Sequence, residues 1–238
     1  MSNKFKVLVF GSDGQIGTAV VDTLKHDFDV IGITHQDGDL NVYGTAPSIL
    51  NAYLPDIIIN CAAITDVAGI ENELKLSSYN VNFLAAAEMA SWAADNDALL
   101  IHISSDYILK GDKEVSFTEQ AIKYSEWPTT EYGRHKRLAE EAIEKSECRF
   151  MILRTSMVHS STHSNFVTKI LDRVFDHEPV KVVRNRYSLP TSANFIANSI
   201  LRLIQNHYYS RRLTPRFYVN VVPVGFGKIS EIVDFIIK

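Results

Sequence analysis

The chain has 238 residues, 46% of them hydrophobic and 22% charged, with a formal net charge of −4. That is an ordinary globular balance, enough to bury the core of one α/β domain with a small lobe. No basic block interleaves with aromatics, which argues against nucleic acid as a partner, and no apolar run approaches membrane-spanning length. Lys4 and Lys6 flank a short strand and not the apolar core of a signal peptide. Cys61 and Cys148 have neither metal nor disulfide-framework spacing, so both read as free thiols of a cytoplasmic protein.

In chain order, Lys6–Phe10 is a short apolar run that fits a buried parallel strand. Gly11-Ser-Asp-Gly14-Gln-Ile-Gly17 follows at once, and helical periodicity runs from Thr18 to Leu24. Strand, glycine turn, helix is the context in which such spacing binds a dinucleotide. Gly11 serves the tight turn, Gly14 the approach of a pyrophosphate, and Gly17 the packing of the helix. The helix N-terminus offers N–H groups to phosphate. Phe28–Ile33 is the second strand. It ends in Thr34-His35-Gln36 where an acidic residue would select NAD, so the reading leans to NADP, with Asp39 and Leu40 left to hold the adenine end.

Pro55–Ala63 is a third apolar strand, whose small residues Ala62 and Ala63 let a flat cofactor pass. A helix is expected over Leu76–Asp95, with Val81, Leu84, Ala85 and Ala87 inward. The fourth strand, Ala98–Ile103, leads into Ser104-Ser105-Asp106-Tyr107. A helix from Pro128 to Lys145 and a strand Arg149–Leu153 complete an alternation that argues a doubly wound parallel sheet of Rossmann type. Beyond Ser156 come a polar loop 159–164, a helix Asn165–Asp176, a strand Val180–Val183, a loop from Asn185 to Pro190 and a helix from Thr191 to Leu203. The stretch His207–Arg212 reads as a solvated loop, Phe217–Val222 as the last strand, and Ile229 onward as the last helix. His159 and His163 lack further ligands nearby, so no metal is assigned. The division is residues 1–160 as the dinucleotide-binding domain. Residues 161–238 form a reduced substrate-binding lobe interleaved with the last sheet strand and helix.

Tyr132 and Lys136 stand four apart on the expected helix and share one face. A phenol with pKa about 10 is a poor acid or base at neutral pH, and a nearby ammonium would favour the phenolate. Asn80, near the start of the helix that precedes the fourth strand, reads either as solvated or as a buried water-holding residue.

Several motifs in family order resemble the extended short-chain dehydrogenase/reductase superfamily and, more closely, the dTDP-4-dehydrorhamnose reductase family. They are Gly11-x-x-Gly14-Gln15-Ile16-Gly17, Asn60-Cys61-Ala62-Ala63-Ile64-Thr65, Ser104-Ser105-Asp106-Tyr107, Tyr132-Gly133-x-x-Lys136, Leu153-Arg154-Thr155-Ser156 and Pro190-Thr191-Ser192. The resemblance implies NAD(P)H-dependent reduction of a 4-keto group on a nucleotide-linked 6-deoxy sugar, as in dTDP-rhamnose and polysaccharide biosynthesis. It implies Tyr132 as proton donor, Lys136 as the residue that tunes Tyr132 and holds the nicotinamide ribose, Ser105 on the carbonyl oxygen, and Asn80 in support of Lys136. Cofactor contacts would come from Gly11, Asp13, Gly14, Gln15, Ile16, Gly17, Thr34, His35, Asp39, Leu40, Cys61, Ala62, Ala63 and Thr65, with Tyr132 and Lys136. Thr65, Ser105, Asp106, Tyr107 and Met157 would face the substrate. The cofactor is NADP(H), with NAD(H) as the alternative, and a homodimer is a candidate assembly.

Three departures bear on substrate. Met157 and His159 replace the Trp and Tyr common after Arg-Thr-Ser. Ile108-Leu-Lys-Gly111 replaces Val-Phe-x-Gly. The chain also ends sooner than family members do. Two other readings stay open: a non-catalytic NADP-binding subunit resembling the methionine adenosyltransferase regulatory subunit, and a sugar-nucleotide epimerase.

Overall fold

The structure is a computed structural model and describes residues 4–109, 118–119, 126–184, 187–210, 215–225 and 227–237. Lys110, Gly111, Asn185, Arg211 and Arg212, singled out above, lie outside the described residues. The first half runs β1 (Lys6–Phe10), α1 (Gln15–Leu24), β2 (Asp29–Ile33), α2 (Thr45–Tyr53), β3 (Ile57–Asn60), α3 (Val67–Ile70), α4 (Lys75–Ser78), a π-helical segment (Tyr79–Leu84), α5 (Ala85–Asp95) and β4 (Leu99–Ser105). A 3₁₀ turn (Asp106–Ile108) follows, then α6 (Glu131–Lys145), β5 (Arg149–Thr155), β6 (Val158–His159), α7 (Phe166–Phe175), β7 (Tyr187–Ser188), β8 (Thr191–Ser192), α8 (Ala193–Ser210), β9 (Arg216–Asn220), β10 (Gly227–Lys228) and α9 (Ile229–Ile236).

Six strands form one sheet in the order β2-β1-β3-β4-β5-β9, and every pairing in it is parallel. A sheet buried on both faces needs strands apolar on both sides, and β3 is wholly buried. Val7, Val9, Ile57, Ile59 and Ile101 point to one face, where Ala19, Val20, Ile196, Ala197 and Ile200 of α1 and α8 cover them. Leu8, Phe10, Ile58, Leu100 and Ile152 point to the other, under Leu50, Ala86, Met89 and Ala139 of α2, α5 and α6. The order reverses between β1 and β3, so their carboxyl ends open a crevice of the kind where open α/β sheets bind ligands.

A third, smaller cluster gathers Ile170, Ile229 and Val233 with Met157, Phe166 and Val182, so α7 and α9 pack on each other beside the sheet. Two short ribbons, β7 with β10 and β6 with β8, tie this lobe to the rest. Among the described residues no helix is long and apolar enough to cross a membrane.

Four local expectations change. Helix α2 was not anticipated; Pro47 sits in its first turn, where a missing N–H costs nothing, and Ala46 and Leu50 bury one face. The helix expected over 76–95 carries a π segment, which shifts the phase: Ala85, Ala86, Met89, Ala90 and Ala93 are buried, while Leu84 and Ala87 are only half-buried. Residues 180–183 form no strand; Val180 and Val182 pack on the third cluster from an irregular segment. The stretch from His207 is no loop at its start, because α8 continues to Ser210 and the His207 ring stacks on Phe217 at 4.8 Å.

Candidate active site

The glycine turn joins β1 to α1 at the crevice. Gly11 has φ +70, and a Cβ there would lie 2.8 Å from Ala62 Cα and N. Only glycine combines that conformation with so close an approach to β3. A Cβ on Gly17 would stand 2.0 Å from the Gly11 carbonyl oxygen, so its absence brings α1 onto the turn itself. Gly14 caps α1 without a side-chain hydrogen bond, and a Cβ on it would meet only the Gly11 oxygen at 3.3 Å. The first turn of α1 carries no acidic residue, so its N-terminus suits a pyrophosphate. The loop after β6 reaches this turn: His163 Nε2 lies 2.7 Å from the Asp13 carbonyl oxygen, and Ser160 Oγ donates to Gln15 Oε1 at 3.2 Å.

At the end of β2 Thr34 holds the place of the expected carboxylate, and a carboxylate reaches it from further along the loop. Asp37 folds back, and its Oδ2 accepts from Thr34 N at 2.8 Å and from Thr34 Oγ1 at 2.7 Å. These bonds hold its carboxyl below the usual range. Asp39 turns instead to His35, 3.6 Å away, and to its own loop at Asn41 N. The Leu40 side chain is buried in the core and is not available to an adenine.

Ser105 ends β4, and parallel register places it beside Thr155 of β5. Its Oγ donates to Asp106 Oδ1 at 3.0 Å and accepts from Tyr107 N at 3.3 Å. Tyr132, buried on α6, stands close enough to Ser105 for that hydroxyl to favour its phenolate. Strand alternation turns Ser104 to the opposite face, where its Oγ has no hydrogen-bond partner among the described residues. The approach of α6 depends on Gly133, where a Cβ would sit 2.2 Å from the Tyr107 carbonyl oxygen. Tyr107 and Tyr132 meet edge to face at 5.5 Å. Thr130 caps α6 by accepting from Gly133 N.

Tyr132 differs from expectation. Its pKa is pushed up to about 12, first by burial and then by the charge of Asp106 and by Tyr107, with the Ser105 hydroxyl opposing. Lys136 is 2% exposed, and its Nζ donates to the Ile103 carbonyl at 2.6 Å and lies 3.2 Å from His102 Nε2. Burial lowers its pKa to about 8, against the raising influence of Glu140 and Cys61.

Asn80 does not support Lys136: its amide donates to the Asn41 carbonyl and side chain, each at 3.1 Å. Asn82 is the buried asparagine. Its Oδ1 accepts from Ile64 N and its Nδ2 donates to Ile64 O, each at 2.8 Å, and Nδ2 also donates to Ser78 Oγ at 2.9 Å. It thereby holds the segment after β3, where Cys61 and Ala62 are half-buried and Ala63 and Thr65 exposed. The π segment is what turns Asn82 inward, and helical counting from the sequence does not reveal it.

Beside this set lies a cavity of about 340 Å³ lined by Asp106, Tyr107, Ser156, Met157, Tyr187 and Ile229, among others. Ser105, Tyr132 and Lys136 are not in its lining; Asp106 and Tyr107 join the two. Ser156 Oγ donates to Asp106 Oδ2 at 2.6 Å, which fixes the carboxylate at the mouth. Met157, at φ +38, supplies an apolar wall.

A parallel sheet with a glycine turn at its switch point and a Ser–Tyr–Lys set two strands further on defines a protein of the extended short-chain dehydrogenase/reductase class. Within that class the chain belongs to the RmlD substrate binding domain family, whose sequence profile matches residues 5–219. It is 31% identical over 202 residues to the spore coat polysaccharide biosynthesis protein SpsK of Bacillus subtilis, covering 84% of this chain and 70% of that one. It is 31% identical over 198 residues to a dTDP-4-dehydrorhamnose reductase of Sinorhizobium fredii, covering 83% and 66%. The alignments thus span about two thirds of these relatives' length. A crystal structure of a dTDP-4-dehydrorhamnose reductase from Clostridium acetobutylicum superposes with a TM-score of 0.86 at 26% identity, covering 97% of this chain and 79% of that chain. The UDP-glucose 4-epimerase of Thermus thermophilus shares the fold at a TM-score of 0.79 and 16% identity.

Proposed function

We propose that this chain is an NAD(P)H-dependent reductase of a nucleotide-linked 4-keto-6-deoxy sugar, with NADP(H) as cofactor. The observation that carries this reading is the buried Ser105–Tyr132 pair at the carboxyl end of β4, two strands from the glycine turn and joined by Asp106 and Tyr107 to an apolar-walled cavity. The relatives named as reductases support the substrate class. A bound nicotinamide supplies hydride to the carbonyl carbon. Charge then grows on the carbonyl oxygen, where a hydroxyl and a phenol can meet it. Tyr132 keeps its proton across the neutral range, the state a donor needs, and gives it to that oxygen as the alkoxide forms. Ser105 orients the oxygen. Met157 and the residues around it exclude water from one side of the sugar.

The test follows NADPH absorbance with dTDP-linked and other nucleotide-linked 4-keto-6-deoxy sugars. Tyr132→Phe should lower turnover by roughly 10²–10⁴-fold with the cofactor still bound. Ser105→Ala should act mainly on turnover and Ser104→Ala far less. Absence of turnover with every 4-keto sugar tried, or a Tyr132→Phe variant as fast as the wild type, rejects the proposal.

A further inference from the structure

His102 has no place in the chemistry described so far, although it is fully buried on β4 in contact with Lys136. Asn60 is its register partner on β3, and its amide nitrogen lies 3.2 Å from His102 Nδ1. The direction of that bond is set from outside, because the Asn60 side-chain oxygen accepts from Ala62 N at 3.1 Å. A backbone N–H only donates, so the Asn60 amide cannot be turned over, and its nitrogen must face the histidine as a donor. His102 Nδ1 is therefore an acceptor. Burial and the neighbouring lysine hold the imidazole pKa well below its ordinary value, so the ring is neutral. A neutral imidazole that accepts at Nδ1 carries its proton on Nε2. That proton points at Lys136 Nζ, 3.2 Å away. An ammonium has no lone pair to receive it, whereas a free amine accepts it and still donates to the Ile103 carbonyl at 2.6 Å.

The geometry points to His102 as a positioning residue that sets the charge of Lys136: its Nε2–H opposes the ammonium, so the lysine binds its proton tightly only when a ligand brings acceptors to it. The groups facing Lys136 from other directions act the other way or stay neutral. Glu140, one turn along α6, favours the cation but is engaged by Arg154 through both oxygens. Cys61, at the end of β3, is a thiol pushed up to about 12 by burial. Tyr132, one turn before, is protonated in the same range. Burial lowers the lysine to about 8, and a donor aimed at Nζ acts in the same direction. The part of the inference that concerns the cofactor rests on the proposed function: hydroxyls of a bound nicotinamide ribose would replace the Nε2–H as partners and draw a proton onto the amine.

The free protein tests the first part without any cofactor. Long-range ¹H–¹⁵N spectra should show His102 with its proton on Nε2 and a bare Nδ1 from neutral to alkaline pH. A proton on Nδ1, or an imidazolium, overturns the inference. The ¹³Cε resonance of Lys136, assigned by its loss in Lys136→Met, should titrate well below the ordinary value of about 10.4. In His102→Gln the side-chain oxygen can face Nζ in place of a donor, and the midpoint should rise by about one unit. His102→Asn, which keeps a partner for Asn60, serves if the glutamine variant does not fold. An unchanged or lower midpoint in the folded variant overturns the inference. Calorimetry of NADP⁺ binding at pH 8.5, in two buffers of different ionisation enthalpy, should show uptake of about half a proton or more in the wild type and little in His102→Gln. Failure of NADP⁺ to bind would count against the proposed function and leave the tautomer and lysine titrations to decide this one.

Discussion

Asp37 and Lys136 show how single residues acquire a role from where the backbone brings them. Asp37 is four residues beyond the end of the second strand, yet both Thr34 donors close on its carboxylate. A solvent-screened negative charge there weakens the proposed binding of a 2′-phosphate without reversing it. Asp37→Asn should therefore raise the ratio of NADPH to NADH affinity by about tenfold. Side-by-side fluorescence titrations measure it, and an unchanged ratio would assign the selection elsewhere.

Lys136 carries a cost that function would repay. Its folded pKa of about 8 lies below the ordinary lysine value of 10.5, so the native state disfavours its charge. The penalty is fully present below pH 8 and is relieved as pH rises towards 10.5, because the unfolded chain then holds the proton the native state has lost. Lys136→Met should accordingly be more stable than the wild type at pH 7, by about 1–3 kcal/mol, and lose cofactor binding. Urea titrations of both proteins at pH 7 and pH 10 check the sign: the gap should narrow at the higher pH. A methionine variant less stable than the wild type at pH 7 would mean that the bond to Ile103 outweighs the buried charge.

At the scale of elements, close approach decides the site. Helix α1 meets its own turn at Gly17, and α6 meets the 3₁₀ turn at Gly133, in both cases against backbone that cannot move aside cheaply. Gly17→Val should abolish nucleotide binding, whereas Gly14→Val, whose side chain would meet only one oxygen at 3.3 Å, should leave the fold intact and act on binding alone. Circular dichroism melts alongside calorimetry separate the two effects. Equal loss of stability in both would show that Gly14 also serves packing.

For the molecule as a whole, the buried pair Arg154–Glu140 joins β5 to α6, and the guanidinium also lies 4.4 Å over the Tyr218 ring of β9. Arg154 Nη1 further donates to the Glu119 carbonyl at 2.8 Å. Removing one partner strands the other charge in the core. Arg154→Met should cost about 3–5 kcal/mol, and Arg154→Met with Glu140→Leu should recover most of it. Denaturant melts of the single and double variants provide the measurement. A double variant no better than the single would make the arginine's own packing the larger contribution.

The amino-acid order alone determined the parallel α/β class, the glycine turn, the Ser105 strand end and the Tyr132–Lys136 helix, because each rests on period, punctuation or spacing within a few residues. Strand alternation also distinguished Ser105 from Ser104. What it could not determine was which polar groups meet. Asn82 and not Asn80 faces the site because a π segment changes the helical phase. Asp37 reaches Thr34 because a turn folds back, and Leu40 enters the core because α2, which local pattern left unread, lies over it. His102 reads as one more residue of an apolar strand, and becomes the donor that faces Lys136 only when β3, β4 and α6 converge. Short-range periodicity decides which face a residue occupies; long-range packing decides what stands opposite it, and the charge state of a buried lysine depends on the second.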